Sequence, residues 1–178
     1  MNAFLLGGDY ALLGPHPRET LERLRTLHAS WIRGNGERWT ARPDDAPRDD
    51  VVRAAIAACR ETLDEDDVAT LAALPGEVAL NGAVYVHGSP QSDVRSFFPT
   101  PADDEDELLD GVDSPRLVFG HTHLPFRRVN ASMSGLGAAW LMGMADPVLG
   151  RLWRPGPVLG PRVGGGQTLG LAVAPLWG

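Results

Sequence analysis

Four short apolar runs close on glycine beside a polar residue able to bind a metal, and this recurrence constrains the fold more than any other feature. Phe4-Leu5-Leu6 leads into Gly7-Gly8-Asp9, and Trp31-Ile32-Arg33 leads into Gly34-Asn35. Ala83 to Val86 leads into His87-Gly88, and Leu117-Val118-Phe119 into Gly120-His121-Thr122-His123. Apolar runs of this length, bounded by turn residues, read as buried strands. The glycines let the backbone turn sharply where each strand ends. Asp9, Asn35, His87, His121 and His123 are therefore expected on loops held by a rigid sheet.

The first two runs form a β-α-β unit. Gly14-Pro15-His16-Pro17 breaks the chain, and Pro17 suits a first helical position with Glu19 in the first turn. Leu21, Leu24 and Leu27 then recur at helical spacing through His28, and Trp31 to Arg33 is the next strand. Strands joined this way run parallel, with a right-handed crossover. Their C-terminal ends share one edge of the sheet, where α/β proteins bind ligands. Asp9 and Asn35 should converge there.

Trp39 to Asp50 is a Pro- and Asp-rich connection, after which Asp49 or Asp50 caps a helix burying Val52, Ala55, Ile56 and Cys59. A second helix runs from about Asp64 to Leu74 and stops at Pro75-Gly76. Val78 to Leu80, Asn81-Gly82 and Ala83 to Val86 have the pattern of a hairpin with a type I′ turn. The acidic run Asp103 to Glu107 reads as the solvated first turn of a helix whose buried side is Leu108 and Leu109. Residues 1–130 thus form one unit. Residues 131–178 are a Gly- and Pro-rich tail with Asp146 as its only acid, irregular except for a strand at Thr168 to Val173.

A chain of 178 residues can bury one real core. It carries 23 acidic and 16 basic residues, a formal charge of -7. That balance argues against a protein that coats nucleic acid, whose affinity comes from Lys and Arg neutralising phosphates. The single cysteine, Cys59, allows no internal disulfide and fits a reducing compartment. No secretory signal and no apolar run long enough to span a bilayer is visible, so a soluble cytoplasmic protein without a membrane partner is expected. A homo-oligomer is left open.

One carboxylate, one carboxamide and three imidazoles suit manganese, iron, zinc or nickel better than calcium or magnesium. A shared carboxylate can bridge two such ions. A two-metal site lowers the pKa of a trapped water and clamps both oxygens of an in-line displacement at phosphorus.

In order along the chain, Gly8-Asp9 with Gly14-Pro15, Gly34-Asn35-Gly36-Glu37-Arg38, His87-Gly88-Ser89-Pro90 and Gly120-His121-Thr122-His123 resemble the signatures of the calcineurin-like metallophosphoesterases. The similarity is to their small bacterial phosphodiesterase-like branch and covers roughly Phe4 to Asn130. It implies a four-layer α/β/β/α sandwich and hydrolysis of a small phosphodiester or phosphomonoester by metal-bound hydroxide. It also implies one or two divalent transition-metal ions, manganese first and iron, zinc or nickel as alternatives. By the same resemblance Asp9 is the bridging carboxylate, Asn35, His87 and His121 complete one metal, and His123 serves the other. Glu37 orients neighbouring groups, and Arg38 and Arg127 are the candidate phosphate contacts.

The pattern departs from the family in three places. No Asp-x-His precedes Phe4, so the sandwich is expected to lack its first strand, and the second metal is left with Asp9 and His123. Gly36 stands where many members have histidine, and Ala131 to Gly135 does not complete the family's Asn-Pro-Gly-Ser-like turn. The first departure supports an alternative, a non-catalytic relative that binds a phosphorylated ligand or a partner protein.

Overall fold

The structure, a computed structural model, describes residues 4–130 together with 140–143 and 170–171. Its first sheet starts from β1 (Phe4–Leu6), followed by α1 (Pro17–Arg25) and β2 (Ala29–Trp31). β1 and β2 run parallel, with Phe4 opposite Ala29 and Leu6 opposite Trp31. β2 begins two residues earlier than the sequence suggests, because α1 ends at Arg25 and Leu27 lies in the following turn. The Ile32 N–H still reaches the Leu6 carbonyl at 2.9 Å, whereas the Arg33 N–H turns away to Pro75. A further strand, β8 (Gly170–Leu171), lies parallel to β1 on the side away from β2, so β1 has a neighbour on each edge.

α2 (Asn35–Ala41) overlaps the stretch read from sequence as a connection. Glycines at positions 34 and 36 hide it, but Glu37 at the third helical position accepts the Gly34 N–H at 2.8 Å and starts the helix. α3 (Asp50–Thr62) and α4 (Glu65–Ala72) follow. The Asp49 carboxylate accepts the Val51 and Val52 N–H groups, and Asp64 accepts that of Asp67, so both helices start on capping aspartates. Leu6, Tyr10, Leu21, Leu24, Cys59, Leu63 and Leu71 form the core between these helices and the first sheet.

The second sheet contains β3 (Glu77–Leu80), β4 (Ala83–Val86), β5 (Arg116–Phe119), β6 (Phe126–Val129) and β7 (Trp140–Gly143). Its order is β3-β4-β5-β7-β6, with β4, β5 and β7 parallel and both edge strands antiparallel. Asn81 and Gly82 both have positive φ, at 52° and 69°, the requirement of a type I′ turn. Val86, Phe97, Leu108, Leu109, Leu117 and Phe119 pack into a second core beneath α5 (Glu105–Leu108). Side chains alternate across a strand, so Leu5 and Val118, also buried, face away from the helix-side cores. The result is an α/β architecture of two sheets, each with its own helix-side core.

Two expectations need correction. Glu105 belongs to the acidic run read as solvated, yet it is buried, accepting hydrogen bonds from the Arg128 guanidinium and the Asn130 amide. An ion pair with a strand distant in sequence overrides the usual exposure of charge runs. The tail was expected to be irregular around Trp140, but Trp140–Gly143 is an interior strand between β5 and β6. Within Thr168 to Val173, the expected strand is present at Gly170–Leu171, and the rest lies outside the described residues. No helix of the described residues is long and apolar enough to cross a membrane.

Tyr10 ties the two parallel strands together at their C-terminal ends. Its hydroxyl lies 2.8 Å from the Leu6 carbonyl and 2.6 Å from that of Ile32, and its oxygen takes a share of the Ile32 N–H at 3.1 Å. Tyr10→Phe should cost about 1–2 kcal/mol in urea unfolding, with the slope unchanged. A midpoint equal to wild type would mean that the hydroxyl does not hold the strand ends.

Candidate metal centre

The site is built on the Glu37 carboxylate. Its Oε2 accepts the N–H groups of Asp9 and Gly34, both at 2.8 Å, and its Oε1 accepts that of Tyr10 at 2.7 Å. To present these donors the backbone takes positive φ at Gly8, 103°, and at Asp9, 59°. Asp9 Oδ1 in turn accepts the Gly36 N–H at 2.8 Å. The loop after β1 and the start of α2 are thereby locked together. Space is tight: a Cβ on Gly34 would fall 2.5 Å from Asp9 Oδ1, and one on Gly36 would fall 2.9 Å from it. A side chain at the position after Asn35 would therefore require the Asp9 carboxylate to shift.

His87 enters from the end of β4. Its Nδ1 lies 2.7 Å from the Gly7 carbonyl, an acceptor only, so Nδ1 carries a proton. Nε2 of the neutral ring is then a lone pair. It faces Asn35 Oδ1 at 2.9 Å, Asp9 Oδ2 at 3.3 Å and His121 Nδ1 at 3.3 Å. Gly8 allows this approach, because a Cβ there would meet His87 Nδ1 at 2.6 Å. The Gly120 N–H donates to the His87 carbonyl at 2.7 Å and binds the two histidine loops together. His121 follows with φ 64°, its ring edge-on to that of His87. One ligand atom each from Asp9, His87 and His121 lie within 4.8 Å of one another.

Acceptors crowded this closely repel unless a cation sits among them. In the metal-free protein a proton on His87 serves. Burial disfavours the charged ring, but the hydrogen bond and charge of Asp9, helped by Gly7 and Glu37, push its pKa up to about 9. Burial likewise works against the Asp9 carboxylate, yet His87, the Gly36 N–H and His121 hold it below the ordinary value. His121 is lowered by burial and by the charge on His87. Burial and the Asp9 charge push Glu37 up to about 7, opposed by its three backbone donors. A divalent transition metal answers the same repulsion as the proton, and the mixed nitrogen and oxygen donors fit it.

The remaining expected residues lie elsewhere. His123 is exposed with φ 55°, and it does not join the Asp9–His87–His121 group. Arg38, expected at a phosphate, has its fork on Asp93, with Nε and Nη2 each 2.6 Å from a carboxylate oxygen and Nη1 3.2 Å from Asp45. Arg127 is exposed on β6. Asp93 was not singled out from sequence, since no motif spacing relates it to Arg38. The Gly7 carbonyl was also missed, although an unpaired carbonyl at a strand end is a natural partner for an imidazole.

No model of a protein family and no curated protein matches the sequence. Among solved structures, a metallophosphoesterase from Sphaerobacter thermophilus is similar, with a TM-score of 0.60 and 22% identity over 79% of this chain and 65% of that one. A hypothetical protein from Pyrococcus horikoshii gives a TM-score of 0.66 and 17% identity over 82% of this chain and 64% of that one. The chain thus spans just under two thirds of the length of either structure. These likenesses establish the metallophosphoesterase fold.

Two outcomes are expected of the scaffold. Glu37→Gln places an amide against backbone N–H groups and should cost about 2–4 kcal/mol in chemical unfolding. Wild-type stability would show that the carboxylate is not the anchor. The His87 pKa of about 9 lies above the ordinary 6.5, so its proton stabilises the metal-free fold fully below about 6.5. That stabilisation is lost as pH rises through about 9. Urea midpoints of chelator-treated protein should fall between pH 7.5 and 9.5, and His87→Gln should flatten the decline.

Proposed function

We propose that the chain is a metal-dependent phosphoesterase acting on a small phosphodiester or phosphomonoester. One observation carries this reading: acceptor atoms of Asp9, Asn35, His87 and His121 converge where the C-terminal strand ends of the two sheets meet, in a metallophosphoesterase fold. Bound ions would supply Lewis-acid charge to the phosphoryl oxygens and lower the pKa of water. Manganese is the first candidate, with iron, zinc or nickel as alternatives.

Each residue has a part that follows from its bonds. Gly36 pins Asp9 Oδ1, which leaves Oδ2 turned toward the His87 ring for an ion. The Gly7 carbonyl fixes the His87 tautomer, so Nε2 is presented as a ligand without the cost of orienting it. Asn35 adds an uncharged oxygen and His121 a second imidazole. His123 would hold a second ion with Asp9. Glu37 is a positioning residue that acts through the backbone of Asp9. Arg38 tethers the loop after His87 to α2 rather than reaching a substrate.

The exposure of His123, outside the Asp9–His87–His121 group, favours a second reading: a one-ion module that binds a phosphorylated ligand or a partner protein without turnover. Elemental analysis after dialysis against manganese separates the two when paired with hydrolysis of bis(p-nitrophenyl) phosphate. The enzyme reading expects close to two ions per chain and turnover. It also expects Asn35→Ala to lower manganese affinity by more than the roughly 100-fold that loss of an outer partner costs. One ion without turnover would leave the binding module. No ion would sink both.

A further inference from the structure

We propose that the ion pair between Arg38 and Asp93 is a clasp that holds the Asn35 side of the metal centre in register with the His87 side, which makes both residues positioning residues for the bound ion. The inference rests on the metal centre of the phosphoesterase reading above and assigns what sets its geometry. Asn35 opens α2, and Arg38 lies three positions further on the same helix and on the same face. His87 follows β4, and Asp93 lies on the loop that His87 begins. Two rungs therefore join the same two segments. The inner rung runs from Asn35 Oδ1 to His87 Nε2 at 2.9 Å. The outer rung is the Arg38 fork, with Nε and Nη2 each 2.6 Å from an Asp93 carboxylate oxygen.

The two rungs differ in what they can hold. With the neutral His87 tautomer the inner rung sets two acceptors against each other, so it closes only around a cation, either an ion or a proton. The outer rung is attractive whatever the centre holds. Its side chains are 23% and 16% exposed, and two parallel bonds fix angle as well as distance. Desolvation offsets much of the attraction in a pair so far from water, so its main effect is on geometry rather than net stability. Glu37 ties α2 to the loop after β1, and the Gly7 carbonyl ties His87 to β1. The Arg38 fork closes that triangle directly between α2 and the His87 loop.

The loop itself is built to pass the position of Asp93 on to the ligand. Ser89 and Ser92 exchange backbone bonds at 2.7 and 3.2 Å, and the Ser92 hydroxyl accepts the Arg95 N–H at 3.0 Å. The Ser96 hydroxyl donates to the Gly88 carbonyl at 2.9 Å. The loop folds back closely on the residue after His87: a Cβ on Gly88 would lie 2.7 Å from the Ser92 carbonyl oxygen and 3.0 Å from the Asp93 carbonyl carbon. Asp93 also lies within the field of the centre. Burial works against its carboxylate, but Arg38, then Arg33 and His87, hold it below the ordinary value. A charged Asp93 attracts a bound cation and Arg38 repels it, so charge and positioning make different predictions for Arg38.

Calorimetric titration of manganese into the full metal-free chain tests the clasp. Arg38→Lys keeps the charge and loses the fork, so the manganese Kd should rise about tenfold, where charge alone predicts no change. Arg38→Gln removes a repelling charge. Charge alone would tighten binding, whereas loss of the clasp should weaken it by about tenfold. Arg38→Gln with Asp93→Asn restores the net charge and should bind as weakly as Arg38→Gln, since one contact is lost only once. A wild-type Kd in Arg38→Lys, or tighter binding in Arg38→Gln, overturns the clasp. If Arg38→Lys does not fold, Asp93→Glu carries the same expectation from the other side of the pair. Weakened manganese binding in these variants, with no hydrolysis of bis(p-nitrophenyl) phosphate by the wild type, would remove the phosphoesterase and leave the clasp. No ion in the wild type would overturn the metal centre, and the His87 Nδ1 proton of the metal-free chain then decides by NMR. Solvent exchange about tenfold faster in Arg38→Lys upholds the clasp, and an equal rate overturns it.

Discussion

The buried carboxylate of Glu37 is the contact on which the site depends. It draws backbone donors from two segments, Asp9 and Tyr10 after β1 and Gly34 before α2, onto one pair of oxygens. A buried carboxylate is costly unless its lone pairs are filled. Here the filling groups are the backbone atoms whose placement sets Asp9 and Asn35. Its elevated pKa, about 7, records the tension between burial beside Asp9 and those donors. The scaffold and the ligands are thus one electrostatic problem rather than two.

Across the cleft the same logic runs through carbonyls. Gly7 ends β1 with its carbonyl directed at His87 Nδ1, and His87 returns its own carbonyl to the Gly120 N–H. The three ligand loops are therefore tied together by hydrogen bonds to backbone carbonyls before any ion enters. Preorganisation of this kind lowers what a metal must spend on ordering its ligands. It also explains why acceptors approach to about 3 Å around His87 Nε2: the backbone holds them there.

Much of this was legible in the sequence because it is local. Alternation, the Asn81-Gly82 turn and the aspartate caps at Asp49 and Asp64 are consequences of neighbouring residues, and the structure reproduces those elements. The apolar runs ending in glycine located the strand ends beside Asp9, Asn35, His87 and His121, and parallel pairing of β1 with β2 made the first two converge. What was hidden depends on contacts between distant segments. Two glycines concealed α2, whose start is stabilised by Glu37. The burial of Glu105 required Arg128, and the insertion of β7 between β5 and β6 has no signature in either neighbour. The pairing of Arg38 with Asp93 was hidden as well, because 55 positions separate them.

Backbone strain shows where tertiary contacts override these local rules. Five described residues other than glycine have positive φ: Asp9, Leu13, Asn81, His121 and His123. Asn81 belongs to a hairpin turn that requires it. The other four all lie on the loops that carry the proposed ligands. At Asp9 and His121 the unusual backbone aims a polar side chain into the cluster, and Glu37 and Gly120 supply the bonds that keep it there. Leu13 shares their conformation but has no polar side chain to aim. Where the conformation departs from local preference at Asp9 and His121, contacts between distant segments hold it there.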